Sequence, residues 1–202
     1  EKSIVLECTD LQKNFTAMYD LSKNGLRVVN GKGTQLIVIK MNPDIAKDSG
    51  YVTLRNAKMS DANVIYQWQS DPHTRRYFHN LDVPKLDEHI NWLKKKLSEP
   101  QNYFYVIEHK NKAAGILRLD HKENTKKNIY LVSIYIAPKH YQKSLGSIAL
   151  KYANSLFKKS ELHAEINEDN IASRKLFTRS GYVKSTDKTL YIRYVEKKGI
   201  VH

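Results

Sequence analysis

The sequence is poor in the residues that proteins use for covalent or metal-based stabilisation. It has a single cysteine among 202 residues, Cys8, so no disulfide can close within one chain, and such usage is typical of a reducing compartment. The eight histidines are scattered and show no metal-ligand spacing. No apolar run approaches the roughly 18 residues that span a bilayer, and no signal-peptide pattern opens the chain. We therefore predict a cytoplasmic protein with no bound metal and no membrane segment.

Acidic residues are also scarce relative to basic ones, with 21 Asp and Glu against 34 Lys and Arg and a formal net charge of +13. This charge permits nucleic acid, an anionic membrane or a phosphorylated ligand as partner. Much of it is interleaved along helical patterns, as at Lys94, Lys95 and Lys96, and no RNA-binding motif with stacking aromatics is present. The sequence therefore favours a phosphorylated small molecule over nucleic acid or a membrane.

One stretch, residues 128–150, organises the rest of the chain. It opens with a β-branched apolar run from Ile129 to Ile136, which is typical of a buried strand, and Pro138 ends that run because proline lacks an N–H donor. A short polar loop follows, and from Leu145 apolar residues recur at helical spacing. The free N–H groups and the dipole of a helix N-terminus favour an anion. This loop is either a phosphate site or an ordinary strand-to-helix connection.

Strand and helix patterns follow one another from Tyr51 onward. Strands are predicted at 52–55, 103–107, 113–119, 162–166, 182–186 and 189–195, and helices at 62–69, 86–97 and 171–179. The polar, turn-rich stretch from Asn42 to Gly50 is typical of a linker. We therefore predict two parts, an N-terminal segment at 1–49 and a mixed α/β domain at 50–202.

The polar loop carries the first family resemblance. Tyr-Gln-Lys-Ser-Leu-Gly from Tyr141 to Gly146, before an amphipathic helix, resembles the acetyl-CoA pyrophosphate loop of the GNAT N-acetyltransferase superfamily, whose pattern is Arg/Gln-x-x-Gly-x-Gly/Ala. Tyr141 stands where Arg or Gln is usual, Ser144 where the first Gly is usual, and Gly146 fits.

Two further stretches extend the resemblance to about residues 51–195. Asn-x-x-Ser-x-x-Leu-Phe-x-x-x-Gly-Tyr, from Asn170 to Tyr182, resembles a GNAT motif nearly position for position. Leu-Arg-x-x-x-x-x-Asp from Leu54, with Trp-x-x-Asp-Pro from Trp68, resembles the opening of a subgroup that includes sugar-nucleotide and ribosomal-protein N-acetyltransferases. The resemblance implies a central mixed, largely antiparallel sheet, flanked by helices and splayed at the central strand.

The resemblance also implies acetyl-CoA as cofactor. In this family, main-chain N–H groups of the central strand bind the pantetheine arm, and loop amides bind the pyrophosphate. The residues that would bind the coenzyme here are Ile134, Ile136, Ala137, Gln142, Lys143, Ser144, Leu145, Gly146, Ser147, Asn170, Ser173 and Phe177. For Asn170 a helix N-cap is an equal reading, and one side chain can serve both purposes.

Glu165 and Tyr135 are the candidate catalytic residues. Glu165, on the strand beside the central one, would accept a proton from the amine directly or through water, although a solvent-facing strand carboxylate is an equal reading. Asp120, His121 and His163 are alternatives. Many family members have a tyrosine at the position of Phe177, which cannot protonate the leaving thiolate, so Tyr135, Tyr182 or water would take its place.

The first forty residues suggest the acceptor. Asn-Gly-Lys-Gly from Asn30, between a helical and an apolar segment, resembles the C-terminus of the UDP-sugar hydrolase of pseudaminic acid biosynthesis. This resemblance implies a remnant of a preceding domain and, as acceptor, the 4-amino group of a nucleotide-linked amino sugar. Fusion to or association with a hydrolase domain, and a homodimer, stay open. The residues that would bind this substrate are Trp68, Arg75, His79, His89, Trp92 and His121.

Two other functions remain alternatives. A protein or peptide N-terminus would be the acceptor in a ribosomal-protein type of acetyltransferase. The departures at Tyr141, Ser144 and Phe177 also leave open a non-catalytic acyl-CoA-binding module.

Overall fold

The computed structural model describes residues 36–39, 52–78, 80–123, 125, 127–187 and 189–195, and of 36–39 the backbone alone. The interpretation of 1–49 thus falls outside the described residues except at 36–39, and His79 falls outside them too. The described strands are β1 (Leu36–Ile39), β2 (Val52–Asn56), β3 (Tyr103–His109), β4 (Lys112–His121), β5 (Ile129–Ile136), β6 (Glu161–Glu165), β7 (Val183–Lys184) and β8 (Leu190–Arg193). The helices are α1 (Ala62–Ser70), α2 (Pro72–Arg75), α3 (Leu86–Ser98), α4 (Leu145–Leu156) and α5 (Ile171–Arg179).

These strands form one sheet in the order β1-β2-β3-β4-β5-β6-β8-β7. Every neighbouring pair is antiparallel except β5 and β6, which run parallel. The predicted mixed, largely antiparallel sheet flanked by helices is confirmed. The domain boundary at 49/50 stays a prediction, and β1, which precedes it, pairs with β2.

Each face of the sheet buries its own core, because successive strand residues point to opposite faces. On one face Tyr105 and Ile107 belong to a cluster with α4 and Phe177 of α5. On the other, Phe104 and Val106 pack with α1 and α3. Burying one such aliphatic or aromatic side chain stabilises the fold by about 1.5–3 kcal/mol. The helices therefore cover both faces of the sheet. None of them, within the described ranges, is long and apolar enough to cross a membrane.

The close contact between β4 and β5 explains a glycine in the middle of a strand. A Cβ atom at Gly115 would lie 2.4 Å from the carbonyl oxygen of Tyr135 and 3.0 Å from the Cα of Ile136. Any other residue would force the two strands apart. Gly115 thus allows β5 to pair with β4 from Tyr130 through Ile136.

The parallel pair is the irregular part of the sheet. β5 pairs with β6 only at Ile129, Tyr130 and Leu131, opposite Glu161, Leu162 and His163. Beyond Leu131 the two strands separate, while β6 continues to pair with β8 as far as Glu165. The sheet is therefore splayed along the second half of β5, as the resemblance implies.

Candidate active site

A cleft of about 1130 Å³ opens where β5 and β6 separate. Its lining comes from the second half of β5, the loop before α4, the first turn of α4, the end of β6 and α5, and on the other side from α2 and α3. The predicted coenzyme-binding residues line this cleft with the exception of Ala137. Elements that are distant in sequence thus meet at one site.

The main chain of β5 presents its polar groups to this cleft at alternate residues. The N–H of Ala137 donates to the carbonyl oxygen of Ala114 on β4, at 2.8 Å. In an antiparallel ladder the residues that bond to one neighbour alternate with those that face the other way. Ile134 and Ile136 therefore direct their N–H and C=O groups toward the gap between β5 and β6, as a pantetheine-binding strand requires.

The assignment of Ala137 as a coenzyme donor is corrected by the same bond. Its N–H is used by Ala114, and its carbonyl oxygen accepts the N–H of His140 at 2.8 Å. Both main-chain groups of Ala137 are therefore engaged within the protein.

The loop before α4 is built to leave helix amides free. The first N–H that bonds within α4 is that of Ile148, which donates to the carbonyl oxygen of Ser144 at 3.1 Å. The N–H groups of Leu145, Gly146 and Ser147 precede this ladder, and no side chain caps the helix at Ser144. Free amides and the positive end of the helix dipole fit a diphosphate. Lys143 adds an exposed ammonium group, which donates to the carbonyl oxygen of Lys139 at 3.4 Å.

Helix α5 and its N-cap form the wall of the cleft beside the first turn of α4. The Asn170 side chain accepts the N–H of Ser173 at 3.0 Å, so the N-cap reading is correct for its Oδ1 atom. Asn170 and Ser173 also line the cleft. A Cβ atom on Gly146 would lie 3.0 Å from the Cδ2 of Leu176, so this glycine lets α4 and α5 approach closely.

The hydroxyl groups that could replace a tyrosine at position 177 differ in position. Phe177 is 3% exposed and contacts Tyr182 edge-on, at 4.9 Å between ring centroids. Tyr182 is itself 2% exposed, and burial raises its pKa. Tyr135 lines the cleft, and its hydroxyl donates to the carbonyl oxygen of Ile65 at 3.4 Å. Burial raises the pKa of Tyr135 well above its ordinary value, although the charge of Arg118 acts in the opposite direction. The Tyr135 hydroxyl is therefore protonated at neutral pH.

The candidate bases differ in their exposure, their partners and their position relative to the cleft. Glu165 ends β6, is exposed and lines the cleft. His163 is buried, and its Nε2 lies 3.2 Å from Glu161. Asp120 forms ion pairs with Arg118 at 2.7 Å and Lys96 at 3.2 Å. Of these carboxylates and imidazoles, Glu165 is the one that the structure brings to the cleft.

Arg75 lies on the α2 and α3 side of the cleft, here called the acceptor half, and its guanidinium is bound to the protein. Its Nε donates to the carbonyl oxygen of Leu81 at 3.3 Å, its Nη2 donates to that of Asp82, and the guanidinium lies over the Phe78 ring. These bonds hold the segment between α2 and α3. Arg75 thus uses two of its five guanidinium N–H groups on the main chain, at Leu81 and Asp82.

Two other predicted substrate residues form the wall on α3. His89 is 2% exposed and lies between the rings of Tyr66 and Trp92. Its Nε2 bonds to the carbonyl oxygen of Ala62 at 3.1 Å, so that nitrogen carries the proton. Burial lowers the pKa of His89 more than this bond raises it, so the ring is neutral at pH 7. His89 and Trp92 both line the cleft.

Trp68 and His121 do not have the positions expected of substrate residues. Trp68 is 9% exposed in the core beneath α1, and it contacts Tyr135 edge-on at 6.2 Å between centroids. His121 ends β4 opposite Tyr130, at the end of β5 remote from the splay. Aromatic and imidazole groups are common in cores and at strand ends, and sequence spacing does not separate these cases from a cleft wall.

Sequence reasoning missed Arg118, which lines the acceptor half on β4. Its guanidinium lies over the Trp92 ring, with Asp120 at 2.7 Å and the Ser133 hydroxyl at 3.3 Å. Arg76, also missed, is exposed at the cleft, with its guanidinium over the Tyr77 ring. The alternation Leu117-Arg118-Leu119 was the available signal, because it places one cation on a strand face.

Comparison with known proteins identifies the family. Residues 52–183, more than half of the chain, match the acetyltransferase (GNAT) domain. An uncharacterized protein of Methanocaldococcus jannaschii is 25% identical over 146 residues, which are 70% of this chain and 30% of that protein. The chain thus spans less than a third of that relative.

Solved structures share the fold at low identity. A spermidine N-acetyltransferase from Vibrio cholerae, in complex with CoA and spermine, has a TM-score of 0.58 at 18% identity, over 70% of this chain and 92% of that one. A ribosomal L7/L12 α-N-protein acetyltransferase in complex with coenzyme A has a TM-score of 0.61 at 15% identity, over 79% of this chain and 98% of that one. The expected family, enzyme class and coenzyme are confirmed. The chain belongs to the GNAT acetyltransferase family, whose domain it carries at residues 52–183.

Proposed function

We propose that this enzyme acetylates the primary amine of a nucleotide-linked amino sugar, most specifically its 4-amino group, by direct attack in a ternary complex. The observation that carries the proposal is the charge of the acceptor half of the cleft, which Arg75, Arg76 and Arg118 line. Glu88 lines the same wall, but its carboxylate is already bound to the protein, because it accepts the N–H of Lys85 at 2.9 Å. A nucleoside diphosphate meets opposite charge here, whereas a polyamine meets like charge.

The coenzyme half would orient the thioester. The amides before and within the first turn of α4 bind the diphosphate, and the main chain of Ile134 and Ile136 binds the pantetheine arm and polarises the acetyl carbonyl. Holding amine and thioester in contact removes much of the entropic barrier, about 7 kcal/mol or more for well-oriented pairs.

The chemical step forms one bond and breaks one. The neutral amine attacks the thioester carbon, the carbonyl oxygen takes the charge, and collapse of this intermediate expels the CoA thiolate. Glu165 receives the amine proton, directly or through water, and Tyr135 donates a proton to the thiolate. The products are the N-acetylated sugar nucleotide and CoA with a free thiol.

Thiol release from acetyl-CoA with a panel of acceptors tests this function. We expect turnover with a UDP-linked amino sugar and little with peptide N-termini or polyamines. The opposite preference for peptides would identify a protein N-acetyltransferase, the activity named for one structural neighbour. Coenzyme binding without thiol release for any acceptor would identify a binding module. The link to a UDP-sugar hydrolase domain is part of the same proposal, and it fails if UDP-linked amino sugars are not acetylated.

The Ser147→Glu variant tests the position of the diphosphate. Ser147 is exposed in the first turn of α4, so a carboxylate there enters the set of free amides. Gly146 is a poorer choice, because its Cβ would press on Leu176. We expect at least about tenfold weaker acetyl-CoA binding by calorimetry, since 1.4 kcal/mol of repulsion suffices for that factor.

Ser98→Glu is the matched control, because it makes the same charge change at an exposed residue at the end of α3. Its coenzyme affinity should equal that of the unchanged protein. Equal affinities for the Ser147 and Ser98 variants would place the diphosphate elsewhere.

A further inference from the structure

A pair of buried imidazoles lies at the base of the proposed diphosphate loop. His140 is 8% exposed and His109, the last residue of β3, is 5% exposed, with 5.8 Å between their ring centroids. His140 ends the 3₁₀ turn Pro138–His140, and its N–H donates to the carbonyl oxygen of Ala137. The turn therefore fixes the imidazole directly before the loop.

Three of the four ring nitrogens of this pair lack hydrogen-bond partners within the described parts of the chain. Both ring nitrogens of His140 and the Nε2 of His109 are buried without a hydrogen bond there. A buried nitrogen without a partner is uncommon in proteins, and such atoms often mark a functional role. Neither imidazole has a part in the acetyl transfer described above.

The groups that act on His140 are cationic or neutral. Lys139 belongs to the same turn, Lys143 to the following loop, Lys112 to the start of β4, and His109 to β3. Burial lowers the pKa of His140, and the charges of Lys143, His109, Lys139 and Lys112 lower it further. The free protein therefore holds this imidazole neutral at pH 7.

We infer that His140 couples coenzyme binding to proton uptake, by taking a proton from solvent when the diphosphate of CoA occupies the adjacent loop. This inference rests on the proposed position of the diphosphate at 142–147. His140 lines the same cleft as that loop. A diphosphate there brings negative charge that opposes the field of the three lysines, and an anion nearby stabilises the imidazolium.

The direction of the pH dependence follows from linkage. The coenzyme-bound state holds one proton more than the free state over the window between the two pKa values of His140. A state that binds more protons gains relative to the other as the pH falls. Coenzyme affinity therefore rises from pH 8 to pH 6, and His140 acts as a positioning residue for the loop.

Calorimetric titration with dephospho-CoA tests the inference. This ligand keeps the diphosphate and lacks the 3′-phosphate, whose own titration near pH 6 would otherwise contribute. Measurement in buffers of different ionisation enthalpy gives the number of protons taken up. We expect uptake approaching one proton at pH 6–7 and an affinity about three- to tenfold higher at pH 6 than at pH 8.

His140→Gln should bind dephospho-CoA with an affinity that changes less than about twofold across this range, because glutamine does not titrate. His121→Gln is the matched control, since it removes an imidazole at the remote end of β4 and should keep the wild-type pH dependence. Equal pH slopes for the wild type and the His140 variant would overturn the inference.

If the His140→Gln variant does not fold, proton uptake by the wild-type protein on binding dephospho-CoA still tests the inference. Tight binding of dephospho-CoA without proton uptake would overturn the inference while leaving the diphosphate site intact. Failure of the diphosphate site itself is seen separately, as equal affinities of the Ser147 and Ser98 variants.

Discussion

At the scale of single residues, the loop before α4 keeps a glycine-like backbone conformation at a position where its sequence departs from the family pattern. Ser144 stands where glycine is usual, and its φ of 56° lies in the left-handed region, as does that of Gln142 at 60°. For residues other than glycine this region costs roughly 1–2 kcal/mol. The loop thus keeps the conformation that a glycine would adopt without strain.

Ser144→Gly should stabilise the protein, because relief of the left-handed strain exceeds the added entropy of the unfolded chain. We expect a gain of up to about 1 kcal/mol, which raises the thermal unfolding midpoint by about 2–4 °C in a chain of this size. Scanning calorimetry measures this unfolding midpoint. Ser155→Gly, inside α4, is the control and should destabilise by a similar amount. A lower midpoint for the Ser144 variant would contradict the strain argument.

Asn170 shows what can be predicted at this scale. Its cap on α5 follows from local sequence, because an Asn at a helix N-cap commonly accepts the main-chain N–H of the residue three positions later, here Ser173. The correction at Ala137 could not be foreseen. Which strand residues face a given neighbour depends on the register with β4, and that register is set by the whole sheet.

At the scale of elements, the Leu-Arg-x-x-x-x-x-Asp motif has a structural reason. Arg55 on β2 donates to both carboxylate oxygens of Asp61, each at 2.7 Å, and its Nε bonds to Glu108 on β3 at 2.7 Å. Asp61 also accepts the N–H of Lys58 at 2.8 Å. The Asp61 side chain thus joins the turn before α1 to the sheet.

Asp61→Asn should destabilise the fold, because a largely buried guanidinium loses an ionic partner. Burial opposes ionisation of Asp61, yet the bonds from Arg55 and from the Lys58 N–H outweigh it, so its pKa is lowered. A group with a lowered pKa stabilises the protein above its unfolded pKa of about 3.9, and this stability is lost as the pH falls below that value. We expect a loss of about 2 kcal/mol at pH 7.

Chemical denaturation at several pH values measures this loss. The difference between the wild type and the Asp61 variant should shrink below about pH 4, because Asp61 of the unfolded wild-type chain becomes protonated there while the folded carboxylate, whose pKa is lowered, still holds its charge. Asp169→Asn, at an exposed carboxylate, should change stability by less than about 0.5 kcal/mol. A pH-independent difference would show that packing, and not charge, is responsible.

At the scale of the whole molecule, the splay between β5 and β6 creates the site. Three residue pairs hold the strands together at one end, and a 1130 Å³ cleft opens at the other. The coenzyme would take the place of the missing strand neighbour, because its amide arm can pair with main-chain groups as a strand does.

Residue-resolved amide exchange tests this substitution. The N–H groups of Ile134 and Ile136 face the gap, so they should exchange at least about tenfold faster than that of Ala137 in the free protein. Saturating acetyl-CoA should slow the first two strongly and leave Ala137 unchanged, since Ala114 already bonds to it. Equal protection of all three in the free protein would contradict the assigned direction of β5.

Local periodicity, and motifs whose residues lie close together in the chain, were enough to predict strands β2 to β8, the helices other than α2, and the family. The coenzyme loop that these motifs indicate stays a prediction. The tertiary structure decided which side chains share the cleft. It moved Trp68 into the core and His121 to the far end of the sheet, and it brought in Arg118 and the His109–His140 pair. Strand register and the order of strands in the sheet bring together residues that are far apart in sequence, and no local pattern encodes those distances.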